Sequence, residues 1–349
     1  MKGAVGRNVA ELASWAKSAL IAYLGVQVPF HFSIFPATSG SQGVRIAAAF
    51  RAGMFRRFDR RPAMSRCKLV GQSAAFLLIL VMCHGLCAQS ANGTAPAPPS
   101  NKIKRVLVIG EAKGFEHDSI SAAMVAVYEM GKESGLWDAT LRTDTELLTK
   151  QKLGNNAKNL DTFDALVFAS TTGELDMTPA QKQDLMSFIK DDGKGFVGIH
   201  AALDTFHNWP EYGEMIGGWF DQHPWGIFDA PIVNEAPDFP ATRHFPKQFT
   251  KRDEIYQPSA EWSREKVNVL LSLNASKLDL NNPRVHRADR DFAVAWAKSY
   301  GKGRVFYSTL GHTEESWQDP DIRKMYFEAI KWALGMSDGS TASHPAPGK

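Results

Sequence analysis

The sequence predicts an α/β fold over residues 103–336, a doubly wound and mostly parallel sheet with helices on both faces. Two observations favour this class. Short apolar, β-branched segments alternate with amphipathic segments at helical spacing, which is typical of right-handed βαβ units. The first strand segment, residues 104–110, is largely apolar, as expected for a parallel strand that helices cover on both sides.

The first half of this segment contains four predicted strands. Residues 104–110 form a β-branched run that ends in Gly, as a buried first strand does. The next three strands span 137–142, 163–169 and 195–200. Since these strands alternate with helical segments, we expect them to lie parallel in one sheet.

Two helices are predicted between these strands. Asp118 or Ser119 is the expected N-cap of the first helix, and Thr178 with Pro179 begins the second. Such residues satisfy or avoid the free N–H groups of a first helical turn. The apolar stripe of the first helix consists of Ile120, Met124, Val127, Tyr128 and Gly131.

The second half has more β-strand signal and ends in a helix. Residues 300–303 form a Gly-rich hairpin turn, and residues 322–334 form the amphipathic closing helix. A disordered tail is expected over 337–349, where the composition is polar and rich in Ser and Pro. The predicted strands span 230–233, 254–257, 267–273, 292–298 and 304–309.

The first 102 residues have a different character. Residues 1–63 carry a charge of +7 without clear periodicity, so we expect an upstream extension, disordered or an artefact of the assigned start. Residues 64–88 have a basic start, an apolar run at 74–83 and small residues, the layout of a secretory signal peptide. The apolar run is well short of the ~20 residues that a membrane-spanning helix needs. Residues 89–102 have a linker composition.

We predict that the exported protein begins close to Gln89 and is periplasmic or secreted, without a stable membrane anchor after cleavage. An N-terminal membrane anchor and a buried helix are the alternative interpretations of the apolar run. N-terminal sequencing of the exported product tests the prediction. Intact chain that starts at Met1 and stays in the cytoplasm contradicts it.

Charge and cysteine content exclude several classes of chemistry. Residues 1–88 carry a net charge of +9 and the whole chain carries +3, so the net charge of residues 89–349 is −6. A mildly acidic domain is a poor nucleic-acid binder. All three cysteines, Cys67, Cys83 and Cys87, lie in the predicted signal peptide. The exported domain therefore has no disulfide, no thiol nucleophile and no thiolate metal ligand.

Polar residues lie just after several predicted strands, where open parallel sheets bind their ligands. His117 follows the first strand, His200 ends the fourth, and His312 follows the last. His223 lies in an aromatic, Gly-rich loop, and Glu254 begins a later strand. An ordinary loop histidine is simply solvated, so it is the placement at strand ends that indicates a site.

Five blocks of sequence contain these residues, at 114–120, 198–204, 217–225, 253–256 and 303–312. They read GFEHDSI, GIHAALD, GGWFDQHPW, DEIY and GRVFYSTLGH. In this order they resemble the blocks of the ThuA-like, trehalose-utilisation family, and the resemblance covers nearly all of 103–336. It implies a class I glutamine amidotransferase-like fold with a flavodoxin-like layout, and a link to the catabolism of disaccharides or keto-sugars.

The resemblance places His200 at the turn that carries the cysteine nucleophile in amidotransferases of this fold. Imidazole can act as a base, an acid or a metal ligand, but it cannot replace the glutaminase thiol, so we expect no glutamine hydrolysis. His312 and Glu314 occupy the position of the His-x-Glu pair, in which the carboxylate orients the imidazole. Asp204, four residues after His200, is expected either to hold His200 or to cap a helix.

The remaining candidates would bind a metal or a substrate. His117 and His223 are candidate ligands of a divalent metal such as zinc, which can polarise a sugar carbonyl or activate water. Tyr256, Trp219 and Trp225 are the expected substrate-binding residues, because aromatic rings suit the faces of sugars, although buried core is the commoner fate of Trp.

The hypothesis that follows is an exported carbohydrate-active enzyme. It would be a hydrolase or lyase acting on a disaccharide, glycoside or keto-sugar derivative, and not an amidotransferase. The alternative is a non-catalytic sugar-binding module, which a Trp-rich loop would also serve. A small-molecule carbohydrate is the expected partner, nucleic acid is not, and a homo-oligomer stays open. The expected catalytic residues are His200, His312, Glu254 and Asp204.

Overall fold

The computed structural model describes residues 102–346. The predicted extension at 1–63, the predicted signal peptide at 64–88 and the linker up to residue 101 lie outside the described residues. No helix between residues 102 and 346 combines the length and the apolar composition that crossing a bilayer requires.

A nine-stranded sheet forms the centre of the domain. Five of its strands are parallel, in the order β2-β1-β3-β4-β11. Residues of β1 alternate between the two faces, with Val106 in the core on one side and Leu107 in the core on the other. The five parallel strands are β1 (Lys104–Ile109), β2 (Trp137–Arg142), β3 (Ala165–Ala169), β4 (Gly195–Ile199) and β11 (Gly303–Ser308).

Four antiparallel strands extend the sheet beyond β11, in the order β10-β9-β6-β7. The prediction of a strand at 254–257 is wrong. Glu254 is the last residue of a longer strand, Gln248–Glu254, and the chain then leaves the large sheet. The strands of this part are β6 (Ile227–Asn234), β7 (Gln248–Glu254), β9 (Asn268–Leu273) and β10 (Ala293–Tyr300). A separate two-stranded sheet pairs β5 (Phe220–Gln222) with β8 (Gln257–Pro258).

Helices cover both faces of the sheet, as predicted. The helices α1 (Ser119–Ser134) and α4 (Pro320–Ala333) pack on one face, and α2 (Pro179–Lys190) and α3 (Pro210–Ile216) pack on the other. Thr178 is the N-cap of α2, as predicted, and it also forms a capping box with Gln181. Asp118 is the N-cap of α1 but makes no side-chain cap bond there.

The described part of the C-terminal tail, residues 337–346, contacts the domain, whereas the sequence predicts a disordered tail. Asn268 Nδ2 donates to the Ser340 carbonyl at 2.7 Å, and His344 Nε2 lies 2.8 Å from the Val269 carbonyl. The tail therefore satisfies polar groups of β9 that composition alone does not reveal.

Candidate functional site

His200 is positioned by the sharp turn at the end of β4. It is fully buried, and its backbone has a φ of 45°. This left-handed conformation is strained for a residue with a side chain, and such strain persists only where the surroundings enforce it. His200 Nδ1 lies 2.6 Å from the Thr309 carbonyl. Because a carbonyl oxygen can only accept, Nδ1 carries the proton and Nε2 presents a lone pair.

Three further side chains surround that lone pair. His200 Nε2 lies 3.0 Å from His312 Nδ1 and 3.7 Å from Glu254 Oε2, and the His200 and His117 ring centroids are 4.9 Å apart. One nitrogen or oxygen from each of the four residues lies within 4.8 Å of the others. The convergence expected at the C-terminal ends of the parallel strands is therefore present, while the roles of the residues stay predictions.

Different elements deliver these four side chains. His117 comes from the loop between β1 and α1, and His312 follows β11, which is the neighbour of β4. Glu254 comes from β7 at the far edge of the sheet. The chain after β7 crosses back to β11, where the Tyr256 amide donates to Thr309 Oγ1 at 2.8 Å. The hydrogen bonds of Thr309 thus connect the His200 ring to the Glu254 segment.

Burial and mutual charge set the protonation of this cluster. Burial lowers the pKa of His200 well below its usual value, and burial together with the His312 charge lowers the pKa of His117 to about 4. For His312 burial acts in the same direction, but the hydrogen bond and charge of Glu254 outweigh it and raise the pKa. Burial alone would raise the pKa of Glu254, yet its bond to His312 lowers the pKa. The cluster therefore offers two neutral imidazoles and a carboxylate at neutral pH.

Asp253 fixes two parts of the cluster at once. Its buried carboxylate accepts from the backbone N–H groups of Glu254, Gly311 and His312 at 2.8 to 3.0 Å, and from Ser316 Oγ at 2.9 Å. The end of β7 and the loop after β11 are thereby held together by one side chain. Sequence reasoning missed this role, although a charged residue just before Glu254 inside a strand is an unusual feature.

Two of the predicted partners lie elsewhere. Glu314 is exposed, and the carboxylate beside His312 is Glu254, whose Oε2 lies 3.2 Å from Nδ1. Asp204 does not hold His200, because its Oδ1 lies 2.9 Å from His207 Nε2. That hydrogen bond raises the pKa of His207. The resemblance suggested the pair of His312 with Glu314, and the spacing suggested the pair of His200 with Asp204. Neither can show which side chains the loops bring together.

His223 lies at the rim of the cluster. Its Nδ1 is 3.4 Å from Glu254 Oε1, and its side chain is 37% exposed. The exposed part of the ring can reach a ligand from solvent while Nδ1 stays on the carboxylate. His223 is therefore beside the group of four ligand atoms and not one of its members.

The aromatic surroundings differ from those predicted. Tyr256 lies against the cluster, with its ring centroid 4.3 Å from that of His200 and its hydroxyl 3.4 Å from His117 Nε2. Trp219 instead packs over Gly213, and its Nε1 donates to the Phe206 carbonyl. Trp225 packs against Phe228 and Phe292 and donates to the Asp279 carbonyl.

Two phenylalanines take the places expected for these tryptophans. The Phe220 ring lies 4.4 Å from the Tyr256 ring and stacks on His223 at 5.8 Å. The Phe115 ring lies edge-on to His117 at 4.8 Å. Both residues lie in the sequence blocks around the histidines, and that position is the signal that could have found them.

The donor set suits a divalent metal. Two nitrogen ligands at about 2.1 Å from a tetrahedral zinc lie roughly 3.4 Å apart, close to the 3.0 Å between His200 and His312. The Thr309 carbonyl orients His200 as outer groups orient metal-ligating histidines. The three imidazoles and one carboxylate of the cluster are a donor set that fits such a cation.

Comparisons of the sequence and of the structure with known proteins indicate the same family. The sequence profile of the family described as ThuA, trehalose utilisation, matches residues 105–333. No curated protein matches the chain. A ThuA-like protein from Bacteroides uniformis superposes with a TM-score of 0.54 at 22% identity, over 68% of this chain and 95% of its own. One from Parabacteroides merdae gives 0.52 at 16% identity, over 71% and 94%. Neighbours of this kind have the glutamine amidotransferase-like fold, which the domain shares.

Proposed function

Since the chain belongs to the ThuA, trehalose utilisation, family, we propose that it is a metal-assisted hydrolase or lyase acting on a disaccharide, glycoside or keto-sugar derivative outside the cytoplasm. The observation that carries the proposal is the group of His117, His200, Glu254 and His312, whose ligand atoms lie within 4.8 Å of one another. Three imidazoles and a carboxylate are ligands typical of zinc and related transition metals. His312, whose pKa Glu254 raises, would release its proton when the ion binds.

In this proposal the four residues would hold the ion, which would supply Lewis acidity for a sugar carbonyl or a water. Neutral His200 presents Nε2 because Thr309 holds the proton on Nδ1. Glu254 contributes the negative charge that a divalent cation needs, and its low pKa keeps it ionised at neutral pH. Asp253 keeps Glu254 and His312 in place before substrate arrives.

Groups at the rim would handle protons and orientation. His223 contacts Glu254 and is partly exposed, so it can transfer a proton to or from a bound sugar. Burial raises the pKa of Tyr256 well above its usual value, so its hydroxyl stays protonated and can donate to a sugar oxygen. The pair formed by Asp204 and His207 is half-exposed nearby and offers a second proton carrier.

A metal analysis paired with a turnover screen tests the proposal. We expect about one divalent metal per purified chain, and turnover of trehalose or its keto derivative that a chelator abolishes and added zinc restores. Glutamine included in the screen should release no ammonia, because the turn after β4 carries His200 in place of a thiol. Sugar binding without metal and without turnover would instead support the sugar-binding module. Thiol-dependent glutaminase activity would contradict the position assigned to His200.

A further inference from the structure

Phe115 is a solvent-exposed aromatic residue beside the candidate site. Its side chain is 68% exposed, more than any other large apolar residue between residues 102 and 346. Exposure of an apolar ring costs free energy that burial elsewhere would recover, at roughly 25 cal/mol per Å². A single exposed apolar residue is ordinary by itself, so its rigidity and its neighbours decide whether it has a role.

The backbone that carries Phe115 is fixed to the end of β3. Thr172 Oγ1 accepts from the Gly114 N–H at 3.2 Å and donates to the Phe115 carbonyl at 2.9 Å. The Lys113 N–H donates to the Thr172 carbonyl at 2.8 Å. Three hydrogen bonds from Thr172 hold this loop in one conformation, so the exposed ring has a fixed position before a ligand binds.

The ring also adjoins the candidate metal cluster. Phe115 is two residues before His117, and the two rings meet edge to face at 4.8 Å. The two tryptophans of the Gly-rich loop are already engaged in packing and backbone hydrogen bonds away from the cluster. Phe220 is covered by His223 and Tyr256. Phe115 is therefore the aromatic face beside the cluster that is open to a ligand.

We propose that Phe115 forms an aromatic subsite that stacks against the apolar C–H face of a pyranose ring while the polar part of that sugar is held at the histidine cluster. The inference rests on the proposed function and refines it, because it selects cyclic sugars over open-chain polyols. Pyranose rings expose a patch of C–H groups that matches an aromatic face, and an open-chain polyol has no such rigid face. The subsite contributes binding and takes no part in the chemical step.

Steady-state kinetics of Phe115→Ala with trehalose and keto-trehalose test the subsite. We expect KM to rise about tenfold, the effect of one lost aromatic contact, with kcat within twofold and metal content unchanged. Phe115→Tyr and Phe115→Trp should keep the wild-type KM, because both retain a stacking face. Val125→Ala is the control, since Val125 is a 48% exposed apolar residue on α1 and should change nothing. Sorbitol, an open-chain polyol, should inhibit wild type and Phe115→Ala equally.

An unchanged KM in Phe115→Ala, with wild-type turnover present, overturns the subsite and leaves the proposed function standing. A fall in kcat with KM unchanged also overturns it, because the residue then acts in the chemical step. If the wild type neither turns over nor binds trehalose or keto-trehalose in a calorimetric titration, both the proposed function and the subsite are wrong. Since the ring is exposed, its removal should not unfold the domain, and the melting temperature verifies this.

Discussion

Replacing His200 with alanine should remove the bound metal and abolish turnover. The substitution deletes the nitrogen at the centre of the cluster, so we expect metal affinity to fall on the order of a hundredfold or more. The same change leaves the Thr309 carbonyl without its donor, at a cost of about 1 to 2 kcal/mol of folding stability. Metal content, turnover and the denaturant midpoint, measured on the same preparation, separate the two effects.

His244→Ala is the matched control for this variant. His244 is partly buried, and its Nε2, like Nδ1 of the fully buried His200, lies beside a backbone carbonyl, 2.9 Å from that of Asp321. None of its described hydrogen bonds reaches the four cluster residues, so its loss should leave metal content and turnover unchanged. Because His244 is more exposed, we expect its loss to lower stability by less than that of His200. His200→Ala that retains both metal and turnover would falsify the assignment of the cluster as the active centre.

Replacing Asp253 with alanine should have the largest effect on stability. Four hydrogen-bond donors lose their common acceptor in a buried place, and we expect the free energy of unfolding to fall by about 3 to 5 kcal/mol. Because the N–H groups of Glu254 and His312 are among those donors, metal affinity should fall as well. Chemical denaturation and metal titration of the variant measure the two losses.

Asp253→Asn makes the test specific. Asparagine has nearly the same shape, but its NH₂ group cannot accept, so about half of the hydrogen bonds should survive and the loss of stability should be about 2 kcal/mol. If the variant is folded at low temperature but binds metal more weakly than the wild type, Asp253 positions the cluster. Asp164→Asn is the control, because this carboxylate accepts from the Arg105 amide in a partly exposed place. A folded Asp253→Asn protein with wild-type metal affinity would limit Asp253 to a role in stability.

The core architecture could be predicted from local patterns. The apolar strands at 104–110 and 195–200 and the capped helix after Thr178 occur close to where the sequence places them. Hydrophobic periodicity is a property of neighbouring residues, so it can be recognised without information about distant contacts. The prediction of a strand at 254–257 is wrong because local periodicity does not contain the sheet register. The end of β7 at Glu254 depends on pairing with β6, which lies earlier in the chain.

The candidate site was predictable as a set of strand-end histidines and not as a set of pairs. His117, His200 and His312 follow β1, β4 and β11, parallel strands of the large sheet whose ends lie at one edge, and topology alone brings such residues together. His223 instead follows β5 of the two-stranded sheet. Which carboxylate orients which imidazole is decided by loops. Asp204 turns to His207, and Glu254 crosses from the far edge to meet His312.

By itself the sequence determined the fold class, the residue types of the site and the absence of a thiol in the domain, because strand periodicity and composition are local properties. Only the tertiary structure decided that Thr309 fixes the proton on His200 and that Asp253 holds Glu254 and His312 together. It also decided that Phe115 presents its ring beside His117. The hydrogen bonds of His200 with Thr309 and of His312 with Asp253 join residues far apart in the sequence, so their geometry exists only once the sheet has assembled. The loop that carries Phe115 is likewise held by the distant Thr172.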